Sequence, residues 1–293
     1  MKKITIISGK GGTGKTFLTA SLASIAKNKV IVDCDVDAAN LYILLHPDIK
    51  KEEVFMGGYE AEINQDKCIK CGKCLTICRF EAVKTFKSKN NSIEKILIDK
   101  FSCEGCGACV YGCPVNAIEI KEKESGKWFI SDTKYGPFIF AKLNVASENS
   151  GKLVTKVKEE AYKIGEKINA DYVIVDGPPG IGCPVIASLS GVDLAIVITE
   201  PTLSGISDME RVIGVAEFFK IETKVVINKY DINIENTGKI EEICKKRKIE
   251  IIGYIPFSEK VFESVVEKIP YVEFSDDPIT EEIKNIWEKI KKE

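Results

Sequence analysis

The stretch Gly9-Lys10-Gly11-Gly12-Thr13-Gly14-Lys15-Thr16 leaves this chain little freedom near its N-terminus. It fits G-x-x-x-x-G-K-[ST], follows an apolar, β-branched run at residues 3–8, and opens a segment with apolar residues at helical spacing at residues 16–26. Strand, glycine loop and helix in that order make a phosphate cradle. Glycines let backbone N–H groups converge on phosphate oxygens without Cβ clashes, and the helix N-terminus adds partial positive charge. Gly11, Gly12, Thr13 and Gly14 would supply that backbone, Lys15 would neutralise β- and γ-phosphate charge, and the Thr16 hydroxyl would reach Mg²⁺.

A second apolar run, KVIVDCD at residues 29–35, continues the pattern, and the same alternation returns from residue 171. There DYVIVDG, LAIVITE, KVVINKYD and IIGYIP read as strands, separated by helical patterns such as residues 208–219 and 234–248. Continuously apolar strands alternating with helices predict an α/β fold with a mostly parallel sheet covered on both faces. Residues 59–122 break this composition: they are cysteine-rich, with short segments and no helix of globular length. We therefore expect a split α/β domain at 1–58 and 123–293 and a small inserted domain at 59–122. Gly57-Gly58 reads as the entry hinge and residues 121–126 (KEKESG) as a solvated exit.

Eleven cysteines are an odd number, and eight of them fall in the insert as two copies of one spacing, a pattern that points to metal rather than to a disulfide scaffold. Cys68-x₂-Cys71-x₂-Cys74-x₃-Cys78 is followed 35 residues later by Cys103-x₂-Cys106-x₂-Cys109-x₃-Cys113-Pro114. Both are similar to the run of bacterial two-cluster ferredoxins, in which each fourth cysteine ligates the other cluster. That resemblance implies a small α+β ferredoxin-like domain with one [4Fe–4S] cluster on Cys68, Cys71, Cys74 and Cys113, and a second on Cys103, Cys106, Cys109 and Cys78. Tetrahedral zinc is the rival reading of C-x₂-C pairs. Arg79 departs from the pattern, standing where the second copy has Pro114.

Residues 10–16 also match K-G-G-x-G-K-T, and here the chain resembles the SIMIBI branch of P-loop proteins: MinD, ParA, Mrp-like proteins and the nitrogenase iron protein. Asp33-Cys34-Asp35-Val36-Asp37-Ala38-Ala39-Asn40-Leu41 is similar to the branch's switch I, and Asp176-Gly177-Pro178-Pro179-Gly180 to its Walker B and switch II. The resemblance implies a nucleotide-dependent homodimer in which Lys10 reaches the partner's phosphates and Asp35 positions the attacking water. It also implies that Asp176 holds Mg²⁺ through water, Gly180 offers its N–H to the γ-phosphate and Asn228 reads adenine. Asn228-Lys229-Tyr230-Asp231 fits the guanine-reading N-K-x-D pattern as well; the whole-chain resemblance favours ATP. With its insert the chain resembles MinD-superfamily ATPases carrying a ferredoxin domain. The function this implies is an ATPase coupled to electron transfer through two [4Fe–4S] clusters, delivering to a redox partner. A cluster or metallocofactor assembly ATPase of the Mrp type, acting on an acceptor protein, is the alternative, and a MinD/ParA-like positioning switch with structural clusters a second.

Lys+Arg 42 against Asp+Glu 44 leaves no basic excess for a nucleic-acid partner. No apolar run approaches the roughly 18 residues of a membrane span, and the N-terminus lacks a secretory pattern, so a cytoplasmic location without membrane partners is expected. Three cysteines remain. Cys183, seven residues after Asp176, is a candidate redox or metal-binding thiol; a bridging cluster there would need a second cysteine, and Ser147-Glu148-Asn149-Ser150-Gly151-Lys152 stands in the region where one is sought. Cys34 reads as packing, Cys244 as inert, and His46, the single histidine, as a loop residue. Ile279, Ile283, Ile286 or Trp287 and Ile290 share one face of a C-terminal helix expected to dock on the core rather than on a membrane.

Overall fold

Order along the chain follows the hydrophobic pattern. In a computed structural model describing residues 1–88, 90, 92–144 and 150–291, the elements run β1 (Lys2–Ser8), α1 (Lys15–Ile25), β2 (Lys29–Asp33), α2 (Leu41–Leu45) and β3 (Asp48–Ile63). Next come α3 (Lys73–Ile77), β4 (Val83–Lys87), β5 (Ile93–Ile98), α4 (Ala108–Tyr111), β6 (Ile118–Thr133) and β7 (Gly136–Leu143). The remainder is α5 (Ser150–Lys167), β8 (Tyr172–Pro179), α6 (Cys183–Leu189), β9 (Leu194–Thr199), α7 (Leu203–Phe218), β10 (Glu222–Asn228), α8 (Ile234–Arg247), β11 (Glu250–Ile255), α9 (Glu259–Val266), α10 (Tyr271–Phe274) and α11 (Pro278–Lys291). The chain divides into two compact units: residues 1–53, 127–142 and 150–293, and residues 54–126 with 143–149.

The first unit is built on parallel pairing. The neighbours β11-β10-β9-β1-β8-β2-β7 are joined by parallel ladders throughout, which forces every crossover between them to be long enough to carry a helix. Alternate residues of β1 serve opposite faces: Ile4 and Ile6 pack with α1, α10 and α11, whereas Ile7 packs with α6, α7 and α8. α11 docks as its apolar face requires, burying Ile279, Ile283, Ile286, Trp287 and Ile290, with Trp287 edge-on to Tyr172 at 5.0 Å. No helix among the described residues is long and apolar enough to cross a membrane.

The second unit has a small core of Ala61, Ile63, Cys74, Val83, Ile96 and Ile118, with β4 and β5 paired antiparallel. Its sequence repeat recurs in the backbone. Lys70 and Gly105 have φ of 61° and 62°, Gly72 and Gly107 of 75° and 76°, Glu81 and Asn116 of 52° and 50°. Gly57 and Gly58 lie inside the continuous strand β3 and residues 121–126 inside β6, where Lys121, Glu122 and Glu124 are exposed and Ser125 and Gly126 buried. Ladder hydrogen bonds do not depend on the side chain, and Gly57 serves close approach instead: a Cβ there would stand 2.7 Å from that of Ser125.

Truncating Trp287 to alanine opens a cavity under α11. Denaturant unfolding of the full chain is expected to show a loss of about 3–5 kcal/mol.

Candidate functional site

At the carboxyl ends of β1, β2 and β8 the parallel register gathers three carboxylates beside the glycine loop. Asp33 pairs directly with Asp176, and Ile6 of β1 with Asp176 on its other side. Gly12 and Gly14 have φ of 79° and 96°, the left-handed region that glycine adopts without a Cβ penalty, and Gly14 caps α1. A Cβ at Gly14 would also stand 2.4 Å from the Asn228 Nδ2. The loop therefore holds its shape by glycine and contact together.

Asp176 is buried and fully engaged: it accepts from Thr16 Oγ1 at 2.8 Å and from Thr19 Oγ1 at 3.0 Å. Burial pushes its carboxyl up to about 6, against the opposing pull of Lys15 and the two hydroxyls. Lys15 is 6% exposed, and its Nζ lies 3.9 Å from Asp35 Oδ2. Burial likewise raises Asp35, with Lys15 working the other way. Asp33, pushed up by burial and by Asp176, accepts from the Asp35 N–H at 3.0 Å and the Leu41 N–H at 3.2 Å. It thereby clamps both ends of the loop that carries Asp35. The Thr13 hydroxyl is buried with no hydrogen-bond partner among the described residues, an orphaned donor within the loop. A hydroxyl and a carboxylate 2.8 Å apart, beside a buried lysine and an unpartnered hydroxyl, fit a hard cation and phosphate oxygens.

These residues open on a cleft of empty volume ≈ 1990 Å³, lined by Gly11, Gly12, Gly14, Lys15, Thr16, Asp35 and Asn228 on the polar side. Phe257 and Phe262, 55% and 72% exposed, form part of the apolar side, large enough to cover a base. Asp231 does not line it; its carboxylate accepts from the Phe257 N–H at 2.7 Å.

Three expected contacts take another form. Lys10 turns onto its own chain, pairing with Glu200 at 2.6 Å and donating to Thr202 Oγ1 and Ser204 Oγ, both at 3.1 Å. The Gly180 N–H donates to Ser8 O at 2.9 Å, and Asn228 Nδ2 to Thr13 O at 2.8 Å while its Oδ1 accepts from the Lys229 N–H. Polar groups of a folded protomer take the nearest acceptors. A role for Lys10 and Gly180 toward phosphate requires a second arrangement of each, whereas Asn228 lines the cleft and has a second amide N–H. Glu200 and Thr19 escaped the sequence reading, although Thr19 stands one helical turn after Thr16 and Glu200 ends an apolar strand. Glu200 also holds Lys229 at 3.1 Å.

In the second unit the cysteines line two cavities. One, of empty volume ≈ 320 Å³, has Cys68, Cys71, Cys74 and Cys113 in its wall; the other, of ≈ 350 Å³, has Cys78, Cys103, Cys106 and Cys109. Each therefore takes three thiols from one run and the fourth from the other. The two fourth cysteines are treated alike: Cys78 Sγ accepts from the Ala82 N–H at 3.3 Å and Cys113 Sγ from the Ala117 N–H at 3.2 Å. Among the described residues no group of three or more His, Cys, Asp or Glu side chains closes around a point that would hold a single metal ion.

Cys183 is exposed at the first residue of α6, beside Gly151; residues 147–149 of the expected second-ligand region lie outside the described residues. Cys34 and Cys244 are buried, and burial pushes both thiols up, Cys244 to about 11. His46 Nε2 meets Lys268 O at 2.8 Å.

The raised Asp176 fixes a sign. A carboxyl that holds its proton more tightly when folded, about 6 against the ordinary 3.8, contributes stability that is gained as pH falls through 6 and lost as pH rises. In chelator, without nucleotide, acidification from pH 7.5 to 5.5 is expected to raise the melting temperature of the wild-type chain more than that of Asp176→Asn. Equal shifts would contradict it.

The CobQ/CobB/MinD/ParA nucleotide binding domain matches residues 4–271. An uncharacterized protein of Methanocaldococcus jannaschii is 38% identical over 295 residues, covering 99% of this chain and 96% of its own. The septum site-determining protein MinD of Thermotoga maritima is 23% identical, covering 99% of this chain and 88% of its own. An iron–sulfur cluster carrier protein of Pyrococcus abyssi is 22% identical, covering 98% and 85%. Among solved structures, Pyrococcus horikoshii MinD complexed with Mg-ADP superposes with a TM-score of 0.58 at 17% identity, over 99% of this chain and 96% of that one, a likeness of fold. Site geometry and whole-length similarity agree, and the chain belongs to the CobQ/CobB/MinD/ParA family of P-loop nucleotide-binding ATPases.

Proposed function

We propose that this chain is a Mg²⁺-dependent ATPase that acts as a nucleotide-switched homodimer and couples ATP binding and hydrolysis to electron transfer through two [4Fe–4S] clusters. The observation that carries the reading is the pair of cavities, each walled by a complete set of four thiols drawn crosswise from two matching runs. Thiolates are the ligands such clusters take, and amide donors on Cys78 and Cys113 suit sulfurs that carry charge. In this division the ATPase comprises residues 1–58 and 123–293, and the ferredoxin-like insert residues 59–122. Cys68, Cys71, Cys74 and Cys113 would hold one cluster and Cys103, Cys106, Cys109 and Cys78 the other. When bound they supply one-electron storage and transfer.

The remaining chemistry belongs to the first unit. Gly11, Gly12, Thr13 and Gly14 wrap the phosphates, and Lys15 neutralises their charge. Thr16 and Asp176 would hold Mg²⁺, which would supply positive charge against the phosphate oxygens. Asp35, tethered by Asp33 and held beside Lys15, positions the attacking water and takes its proton. Lys10 releases Glu200 and crosses to the partner's phosphates as an in-trans cation; Gly180 turns its N–H to the γ-phosphate and Asn228 its amide to adenine. Asp231, the carboxylate a guanine reader needs, does not line the cleft, which favours ATP over GTP. A carrier of iron–sulfur clusters or metallocofactors is the second reading, favoured by the Pyrococcus abyssi relative and by the exposed Cys183.

Two outcomes are expected. Lys10→Ala keeps nucleotide binding but lowers ATP turnover by about 10³-fold, the scale of an in-trans cation; unchanged turnover would remove the in-trans role. Anaerobic protein, reduced and then mixed with an electron acceptor, discharges at a rate that depends on whether ATP, ADP or no nucleotide is bound, with its iron retained. Iron passing to an apo-acceptor instead would favour the carrier.

A further inference from the structure

The internal repeat provides a controlled comparison within one molecule. Both cavities have four thiols, one amide-to-sulfur hydrogen bond at nearly the same distance, and one exposed cysteine, Cys71 or Cys106. The backbones agree as well, φ for φ, at Lys70 and Gly105 and at Gly72 and Gly107. Ligand type and hydrogen bonding are thus matched, with Cys74 buried and its counterpart Cys109 half-buried, and these are among the levers that set the potential of such a site. Charge is the lever on which the two differ most. The cavity of Cys68, Cys71, Cys74 and Cys113 is lined by Lys70 and Lys73, while Asp66 and Lys67 before its first cysteine offset one another. The residues corresponding to Lys70 and Lys73 in the other copy are Gly105 and Ala108, and its cavity is lined by Glu104 where the first has Ile69. Arg79, next to Cys78, is the cation at the second cavity's side. Lys70 and Lys73 form no ion pair among the described residues, so a carboxylate does not cancel them. Lys70 moreover keeps a left-handed backbone that its counterpart leaves to glycine, a conformation that disfavours a side chain.

We infer that the second unit is polarised: Lys70 and Lys73 make the site of Cys68, Cys71, Cys74 and Cys113 the one that holds an added electron, and Glu104 disfavours the site of Cys78, Cys103, Cys106 and Cys109. A cation beside a centre stabilises its more negative, reduced state, and an anion does the reverse; at solvent-exposed positions the effect is screened by salt. The step is one electron taken from a one-electron reductant such as dithionite, with no bond made or broken in the protein. Lys70 and Lys73 act through the cluster's field and are tuning residues. The inference rests on the cluster reading given above.

The test is a redox titration of the full-length, anaerobically purified chain, followed by electron paramagnetic resonance and accompanied by iron analysis. The wild type should show about eight irons and two resolved one-electron waves whose separation narrows as salt is raised. Lys70→Gln with Lys73→Gln should lower the higher wave alone, Lys70→Arg with Lys73→Arg should restore it, and Glu104→Gln should raise the lower wave. Coincident waves in a wild-type chain with eight irons overturn the polarity while leaving the cluster reading intact. So does a double glutamine variant that shifts the lower wave or neither. Iron far below eight in the wild type overturns the cluster reading, and the polarity with it. If the glutamine pair loses iron, Glu104→Gln and the salt dependence still decide: no movement in either contradicts the proposal.

Discussion

Burial of the Asp176 carboxylate, held by two threonine hydroxyls and faced by Lys15, is the interaction on which the nucleotide site depends. A carboxylate removed from water is costly unless it is hydrogen-bonded and charge-balanced. Here the balance comes from three separate segments that a parallel sheet alone could align: the end of β8, the start of α1 and, through Lys15, the loop after β2. The neighbouring strands β1 and β2 fix Asp176 in register, so the position of the carboxylate is set by backbone pairing and not by a flexible loop. Asp33 extends the same arrangement outward, because it converts its own burial into a clamp on the backbone carrying Asp35.

The second unit obeys a different constraint. Its apolar core is small, and short helices opened by left-handed glycines turn the chain sharply enough to bring four cysteines to the wall of each of two cavities. Repetition of the same turn conformations 35 positions apart gives both cavities a similar backbone, on which side-chain charge differs.

Legibility from sequence divided along physical lines. The glycine loop, the apolar strands and the cysteine spacings are local patterns, and local patterns survive being read one segment at a time. So did the docking face of α11, whose period of apolar residues is itself a statement about burial. What escaped were facts of pairing. Gly57 and Gly58 carry turn chemistry, yet they lie inside β3, which neighbours β6, and no local reading contains that pairing. Glu200 lies far along the chain from Lys10, and nothing near either residue announces that they meet. Lys10, Gly180 and Asn228 were legible as members of a motif but not as donors already satisfied within the protomer, since a motif names residues and not the arrangement they occupy.

Coupling between nucleotide and electron is the central claim, and thermodynamic linkage makes it reciprocal: if bound nucleotide alters the energy of an electron on the clusters, the electron alters nucleotide affinity by the same factor. The direct measurement is calorimetric titration of a non-hydrolysable ATP analogue with Mg²⁺ into the same anaerobic protein, once oxidised and once fully reduced. The account predicts dissociation constants that differ by about fivefold or more, the lower end of ordinary allosteric coupling. Equal constants in the two redox states, with the clusters intact in both, would contradict it.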